Sequence, residues 1–167
     1  MADEATVVLV MGVSGSGKTT VGRLLAERLG WAYAEADEFH SPENIAKMRE
    51  GVPLTDADRA PWLRAIAEWI ADRTSPGVVS CSALKRSYRD MMRGVRLVYL
   101  DGDRELIATR IKARTGHFFR PEMLDSQFAD LQPPAPDEHA LYIPVSDSPE
   151  RIVDEIVDRL GLVPDQR

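Results

Sequence analysis

Cysteine and histidine are scarce in this sequence of 167 residues, which contains a single cysteine, Cys81, and three histidines. One cysteine excludes an internal disulfide and is typical of a reducing compartment, so we expect a cytoplasmic protein. A closed zinc site usually needs several Cys or His ligands and is not predicted either. No apolar run approaches the ~20 residues that span a membrane, and the acidic start does not resemble a secretory signal. We therefore expect no membrane partner.

Positive charge is also in deficit, because 21 Lys and Arg face 27 Asp and Glu, for a net charge of −6. The basic residues are concentrated between Lys85 and Arg120, where ten Lys or Arg stand against four Asp or Glu. An acidic protein with one basic segment is unlike a general nucleic-acid binder but suits a small anion. We predict no nucleic-acid partner, and a solvated charged face remains the alternative for any one of these side chains.

Apolar runs alternate with helical patterns along the whole chain. Capping signals at Thr55 and at Ser148 each precede a helical pattern. Alternation of this kind predicts an α/β fold with a parallel sheet, here in one domain covering 1–167. The runs that predict strands are 6–11, 31–34 (the weakest), 77–81, 95–100 and 140–145.

Residues 12–19, GVSGSGKT, match the motif G-x-x-x-x-G-K-[ST] between a predicted strand and a predicted helix. In such a phosphate loop the glycines turn backbone N–H groups toward a phosphate, Lys18 reaches the β- and γ-phosphates, and the Thr19 hydroxyl ligates Mg²⁺. The motif predicts a bound nucleoside triphosphate but leaves hydrolysis, transfer and switching open. The residues predicted to contact ATP here are Gly12, Val13, Ser14, Gly15, Ser16, Gly17, Lys18, Thr19 and Thr20.

Other motifs favour a small-molecule kinase over a switch or a motor. A guanine-reading N-K-x-D element is absent, since the one asparagine is Asn44 in NIAK. Asp101 follows an apolar run as a Walker B acid would, but a turn in which Asp103 caps the next helix is the preferred interpretation.

The stretch around GHFF predicts a mobile lid over 112–134, with an ordinary cationic helix and loop as the alternative. Its cations are Arg110, Lys112, Arg114 and Arg120.

The hexapeptide EADEFH, residues 35–40, follows the second predicted strand. On its own it fits a metal site, the acid/base group of an enzyme or a charged turn without chemistry. The chain around it decides between them, because a phosphate loop upstream implies that Mg²⁺ arrives with ATP and makes a dedicated metal site unnecessary.

Longer strings resemble the gluconate kinase (gluconokinase) family over about residues 6–145. They are MGVSGSGKTT, EADEFHSPENIAKMREGVPLTDADRAPWL, CSALKRSYRDMMR and KARTGHFF…MLDSQFADLQPP. The resemblance implies ATP-dependent phosphorylation of D-gluconate at its terminal (6-) hydroxyl, with Mg²⁺. It also implies a P-loop NTPase fold, in which a five-stranded parallel sheet is flanked by helices on both faces and carries a mobile helical lid, and a homodimer.

The resemblance also implies roles for individual residues. Asp37 matches the acid that holds or deprotonates the acceptor hydroxyl, and with Lys18 and Arg114 it forms the expected catalytic set. Arg59, within an acceptor-binding segment at 38–75, suits the acceptor carboxylate, with a salt bridge to Asp56 as the alternative. Further acceptor candidates are His40, for which a structural role competes, Lys85 and Arg89. Around adenine the resemblance places Arg110, Ser146 and Asp147, while Arg114 reaches the phosphates as the lid closes.

One departure from the family pattern concerns Glu35. The family commonly has D-G-D where this chain has Glu35-Ala36-Asp37. Glutamate is one methylene longer, so we expect Glu35 to act on Mg²⁺ through a water molecule. Alternatives to gluconate kinase are a related kinase for another sugar acid, a shikimate-like acid or a nucleoside monophosphate, and a non-catalytic nucleotide-binding switch.

Overall fold

A computed structural model describes residues 6–92, 94–116 and 121–164 of the chain. Its strands are β1 (Val7–Met11), β2 (Ala32–Glu35), β3 (Gly77–Ser80), β4 (Arg96–Asp101) and β5 (Leu141–Pro144). They form one parallel sheet in the order β2-β3-β1-β4-β5. The α/β fold with a five-stranded parallel sheet is thereby confirmed.

Helices connect the strands and cover both faces of the sheet. They are α1 (Lys18–Leu29), α2 (Pro42–Arg49), α3 (Asp56–Ala71), α4 (Arg86–Arg89), α5 (Arg104–Thr115), α6 (Pro121–Asp130) and α7 (Pro149–Leu160). Two 3₁₀ turns, Ala36–Phe39 and Pro136–Glu138, follow β2 and precede β5. Within the described ranges no helix has the length and apolar content needed to cross a membrane.

Strand β1 is buried on both faces, which explains why its sequence is continuously apolar. Successive side chains of a strand point to opposite faces. Val8 and Val10 therefore pack with α1 and α7, while Leu9 and Met11 pack with α3. The central strand thus holds two hydrophobic layers together and fixes where its carboxyl end lies.

The carboxyl end of β1 continues into the phosphate loop, residues 12–19. In a parallel sheet the neighbouring strands end at the same edge, so β2 brings Glu35 and β3 brings Cys81 there. A third apolar cluster packs α5 and α6 against the loop through Val13, Ile107 and Leu124. This edge of the sheet is where the predicted site residues gather.

The local sequence signals agree closely with the structure. All five predicted strands are present, with ends that differ by one or two residues. Thr55 and Asp58 form the predicted capping box, Asp103 caps α5 and Ser148 caps α7. The predicted lid contains α6, but four of its residues, His117, Phe118, Phe119 and Arg120, lie outside the described residues.

Candidate active site

The phosphate loop presents an open helix end to its ligand. Gly15 and Gly17 adopt left-handed backbone angles, with φ of 83° and 94°. Gly17 precedes the first turn of α1 without any side-chain cap, so the N–H groups of that turn remain available to an anion. Lys18 and Thr19 begin the helix, and the exposed Thr20 follows them. This is the geometry of a phosphate cradle.

The same loop is tightly packed from behind. A Cβ atom at Gly12 would lie 2.5 Å from the Ser16 hydroxyl oxygen, and one at Gly15 would lie 2.6 Å from the side chain of Ile111. Both contacts are closer than real Cβ atoms tolerate. Ser16 is 1% exposed and its hydroxyl has no hydrogen-bond partner among the described residues. The buried Ser16 side chain and Ile111 of α5 therefore both pack closely against the backbone of the loop.

Glu35 lies beneath the start of α1 and is 8% exposed. Its Oε2 atom accepts a hydrogen bond of 2.7 Å from the Thr19 hydroxyl and one of 2.8 Å from the Tyr33 hydroxyl. Its Oε1 atom is buried without a partner in the described part of the chain. A buried oxygen of this kind beside a threonine hydroxyl fits Mg²⁺ or a water molecule bound to it.

Asp37 stands exposed on the 3₁₀ turn that follows Glu35. Burial raises the pKa of the Cys81 thiol to about 12, and the charges of Lys18, Asp37 and Glu35 also act on it. Cys81, at the end of β3, therefore marks a point on which three predicted site residues converge. Its thiol stays protonated at neutral pH, so it supplies no nucleophile.

His40 closes the 3₁₀ turn and is fixed by its neighbours. Its ring stacks on Trp62 with centroids 4.2 Å apart, and its Nδ1 atom lies 3.2 Å from the Asn44 side-chain nitrogen. That nitrogen also donates to the Asp58 carbonyl, so Nδ1 is an acceptor and Nε2 carries the proton. The pKa of His40 is lowered overall, mainly because burial disfavours the charged ring. The charge of Asp37 opposes this shift, and the charge of Arg59 adds to it. Neutral His40 thus adjoins both Asp37 and Arg59.

Arg59 and Lys85 meet at a residue that the sequence did not reveal, Tyr88. Arg59 donates to the Tyr88 hydroxyl at 3.0 Å, and both cations lie 5.6 Å from its ring centroid. The same hydroxyl donates to Asp56 at 2.6 Å, and Lys85 lies 3.3 Å from that carboxylate. Both hydrogen bonds lower the pKa of Asp56, and the bond from Tyr88 has the larger effect. Arg59 therefore contacts Asp56 through Tyr88 rather than by the direct salt bridge considered as its alternative role.

Arg89 points into a different environment from the one expected of an acceptor residue. Its guanidinium pairs bidentately with Glu138, at 2.7 and 3.1 Å, and also donates to the carbonyls of Ala83 and Leu84. The two charged side chains are 5% and 9% exposed. Arg89 also lines a cavity of about 330 Å³ that includes no residue of the phosphate loop or of the turn with Asp37. Its guanidinium donors are already bonded to Glu138 and to the segment after β3, so this geometry does not favour a contact between Arg89 and the acceptor.

The predicted adenine-side residues lie near the last strand. Arg110 on α5 donates to the carbonyl of Val145 at 2.5 Å, which brings it to the turn that contains Ser146 and Asp147. Arg114 is exposed one helical turn further along α5. The structure therefore groups Arg110 with 146–147 and leaves Arg114 at the point where the predicted lid begins.

Gln127 of α6 is a second residue that sequence reasoning missed. Its carboxamide accepts from the Ser14 backbone N–H at 2.7 Å and donates to the Ser14 hydroxyl at 2.8 Å. These bonds join residues 113 positions apart. They dock the helix of the predicted lid directly on the phosphate loop.

Comparison with known proteins gives a consistent result. The family model for shikimate kinase matches residues 14–160. A gluconokinase from Gluconobacter oxydans is 43% identical over 157 residues, which cover 90% of this chain and 88% of that protein. The thermoresistant gluconokinase of Escherichia coli is 43% identical over 150 residues, 86% of each chain.

A solved structure extends this likeness to three dimensions. The crystal structure of a gluconokinase from Sinorhizobium meliloti superposes with a TM-score of 0.88 at 45% sequence identity. The match covers 95% of this chain and 93% of the other. Sequence and fold thus agree over nearly the whole chain.

Proposed function

This chain belongs to the gluconokinase family, within the shikimate-kinase-like kinases, and on that premise we propose that it transfers the γ-phosphoryl group of ATP to the terminal (6-) hydroxyl of D-gluconate. The products are 6-phospho-D-gluconate and ADP. Family membership supports the choice of gluconate, and the observation that carries the assignment of the chemistry is the position of Asp37. It lies on the turn directly after β2, and its charge acts on Cys81, as does that of Lys18, and on His40, as does that of Arg59.

In the proposed step, Asp37 accepts a hydrogen bond from the terminal hydroxyl and orients it in line with the γ-phosphorus. A bond forms between the hydroxyl oxygen and that phosphorus, and the bond to the β–γ bridging oxygen breaks. The electron pair of the broken bond leaves with ADP, and the hydroxyl proton passes late to the Asp37 carboxylate. Lys18 and the loop N–H groups stabilise the charge on the transferring group.

The acceptor carboxylate binds at Arg59 and Lys85 in this proposal. A planar guanidinium suits a bidentate carboxylate pair, and Tyr88 holds Arg59 in place through its hydroxyl. Asp56 is the internal partner of this group, so the acceptor carboxylate competes with it for Lys85. The neutral His40, whose Nε2 proton is not used by Asn44, donates to an acceptor hydroxyl.

Thr19 would hold Mg²⁺ through its hydroxyl oxygen, while Glu35 accepts the hydrogen bond of that hydroxyl on Oε2 and would take a metal-bound water on Oε1. When bound, Mg²⁺ neutralises charge on the β- and γ-phosphates. Thr19 and Glu35 thereby set the position of the phosphate chain relative to Asp37.

On the nucleotide side, Arg110 stacks on adenine beside Ser146 and Asp147, and Arg114 reaches the phosphates as the segment 112–134 closes over them. Segment 38–75 carries the acceptor, and the chain acts as one kinase domain. The homodimer and the cytoplasmic location stay predictions, the first to be checked by light scattering on the purified protein.

Release of ADP from a panel of acceptors tests the proposal. The panel contains D-gluconate, other sugar acids, shikimate and nucleoside monophosphates, each with Mg²⁺ and ATP. Fast turnover with gluconate alone supports the assignment, and a Lys18→Ala variant controls for contaminating kinases. ATP binding without turnover for any acceptor would overturn it in favour of a nucleotide-binding switch.

A further inference from the structure

Tyr33 reaches the carboxylate of Glu35 from its own strand. The two residues are separated by one position on β2, so their side chains lie on the same face of the sheet. The Tyr33 hydroxyl donates to Oε2 of Glu35 at 2.8 Å, the same oxygen that accepts from Thr19. One oxygen of Glu35 is thus held by two donors while the other, Oε1, has no partner in the described residues.

The tyrosine ring can occupy this position because the residue that it contacts in α1 is a glycine. A Cβ atom at Gly22 would lie 2.9 Å from Cε1 of Tyr33 and 2.2 Å from the hydroxyl oxygen of Ser80. Ser80 in turn donates to the carbonyl of Lys18 at 2.8 Å. The guanidinium of Arg23 lies 5.3 Å from the tyrosine ring centroid. The ring is therefore confined from several sides, and its hydroxyl has a defined direction.

We infer that Tyr33 is a positioning residue for the metal-side carboxylate, and that it keeps Oε1 of Glu35 directed toward the Mg²⁺ that accompanies the nucleotide. A glutamate has one more rotatable bond than an aspartate, so its carboxylate loses more freedom when it is held. The Tyr33 hydroxyl supplies that restraint in the folded protein before any nucleotide binds. Thr19 donates its hydroxyl proton to the same oxygen, which leaves the lone pairs of that hydroxyl available to a metal ion.

This inference rests on the proposed function only for the presence of a metal-bound nucleotide, and it makes no use of gluconate. If the inference is right, Mg²⁺ strengthens nucleotide binding less when Tyr33 is replaced, and this loss depends on the presence of Glu35. A tyrosine that merely filled space under α1 would affect stability but not that response.

Calorimetric titration of the full chain with ADP, in Mg²⁺ and in EDTA, tests the coupling without turnover. The ratio of the two dissociation constants measures the enhancement of binding by Mg²⁺. We expect Tyr33→Phe to reduce this ratio roughly tenfold or more, the size expected for one hydrogen bond to a charged group, with ADP affinity in EDTA unchanged. In a Glu35→Gln background the same substitution should change nothing further.

Tyr142→Phe is the control for loss of a tyrosine hydroxyl, because that hydroxyl donates to the carbonyl of Pro134, the last residue of the predicted lid, and not to Glu35. It should leave the Mg²⁺ ratio at the wild-type value. The inference is overturned if Tyr33→Phe keeps the wild-type ratio while lowering the melting temperature as the control does, or if its effect persists in full without the Glu35 charge.

The proposed function and this inference fail separately. Loss of the Tyr33 effect with normal gluconate turnover would sink the inference alone. A preserved Tyr33–Glu35 coupling in a protein that phosphorylates no acceptor would support the inference and sink the proposed function.

Discussion

Asp37 and Glu38 are adjacent carboxylates on one 3₁₀ turn, and both are exposed. They differ in what surrounds them, because the charge of Asp37 acts on His40 and on Cys81. No such effect of Glu38 on these two residues is seen. This difference supports the proposal that Asp37, and not Glu38, meets the acceptor hydroxyl.

Replacing Asp37 by asparagine keeps the size of the side chain and removes its basicity. We expect kcat for gluconate to fall about 10²-fold or more, with ATP affinity nearly intact, because a general base contributes that much and does not bind the nucleotide. Steady-state kinetics and nucleotide titration measure the two quantities. Glu38→Gln is the control and should retain wild-type kcat; wild-type turnover in Asp37→Asn would remove Asp37 from the chemistry.

Arg59 should act mainly on acceptor affinity. Arg59→Ala removes a guanidinium that Tyr88 holds in place, and a hydrogen-bonded charge of this kind contributes about 1.5–3 kcal/mol. We expect the KM for gluconate to rise roughly tenfold or more with a smaller effect on the KM for ATP. A variant with a lower melting temperature and an unchanged gluconate KM would give Arg59 a purely structural role.

Single residues were predictable where the signal is local. Lys18 and Thr19 follow from the spacing of the phosphate loop, and Glu35 from its place after a strand. Tyr33 carried a usable signal, since residues two apart on a strand share a face, but nothing in the sequence showed that its hydroxyl would reach Glu35. Tyr88 carried none, because its partner Arg59 is 29 positions away.

Helix α6 is tied directly to the phosphate loop although it is distant from it in sequence. Gln127 joins it to Ser14 at its middle, and beyond its end Gln132 accepts from the Arg86 backbone N–H and donates its own N–H to the Leu84 carbonyl. The helix is therefore fixed both to the phosphate loop and to the segment after β3. Movement of α6 would change the exposure of the Ser14 amide.

Gln127→Ala should release that tie. We expect faster hydrogen exchange at the Ser14 amide and along α6, because the carboxamide that protects the amide is gone. The KM for ATP should also change a few-fold. Exchange measured by mass spectrometry on the nucleotide-free protein checks this, with Met123→Ala, an exposed side chain on the same helix, as the control. Unchanged exchange at Ser14 would contradict it.

The helices differ in how well they could be predicted from the sequence. A capping box at Thr55 and Asp58 fixed the start of α3, and its apolar spacing fixed the buried face. The four residues of α4 are too few for any periodicity to appear. Helix α2 has a local start signal, because Ser41 caps it and Pro42 begins it, but no apolar face. Its one buried residue is Asn44, which bonds to His40 and to the Asp58 carbonyl.

At the scale of the whole molecule, one ion pair joins distant loops. Arg89 and Glu138 are nearly fully buried, and Arg89 also donates to two carbonyls after β3. The bond from Arg89 is the main cause of the lowered pKa of Glu138, opposed by burial. Because the folded pKa lies below the unfolded one, the pair adds stability above the unfolded pKa and loses it as pH falls toward the folded pKa.

Glu138→Gln tests this contribution. We expect the free energy of unfolding near pH 7 to fall by about 3 kcal/mol, since Arg89 is left buried without its counter-charge. Below about pH 4.3 the difference from wild type should shrink, because Glu138 becomes protonated first in the unfolded chain and, at lower pH, in the folded protein as well. Urea unfolding at several pH values measures both effects, and a difference that stays constant with pH would contradict the assignment.

The order of the strands in the sheet could not be predicted from the apolar periodicity of the sequence. Alternating strands and helices predicted a parallel sheet, but β1 pairs with β3 and β4 and not with β2, its neighbour along the chain. Strand order depends on which helix covers which face, and apolar spacing alone is silent about that. The resemblance to gluconate kinases predicted a five-stranded parallel sheet but not the order of its strands.

The stack of Trp62 on His40 has an optical consequence. Its indole N–H bonds to the carbonyl of Ala36 at 2.6 Å, one residue before Asp37, so Trp62 contacts the turn at 36–40 at two points. The lowered pKa of His40 keeps the imidazole neutral at neutral pH, so the indole stacks on an uncharged ring. If the acceptor binds at His40 as proposed, the surroundings of Trp62 change with it, and we expect the tryptophan fluorescence of the protein to change as the acceptor site fills.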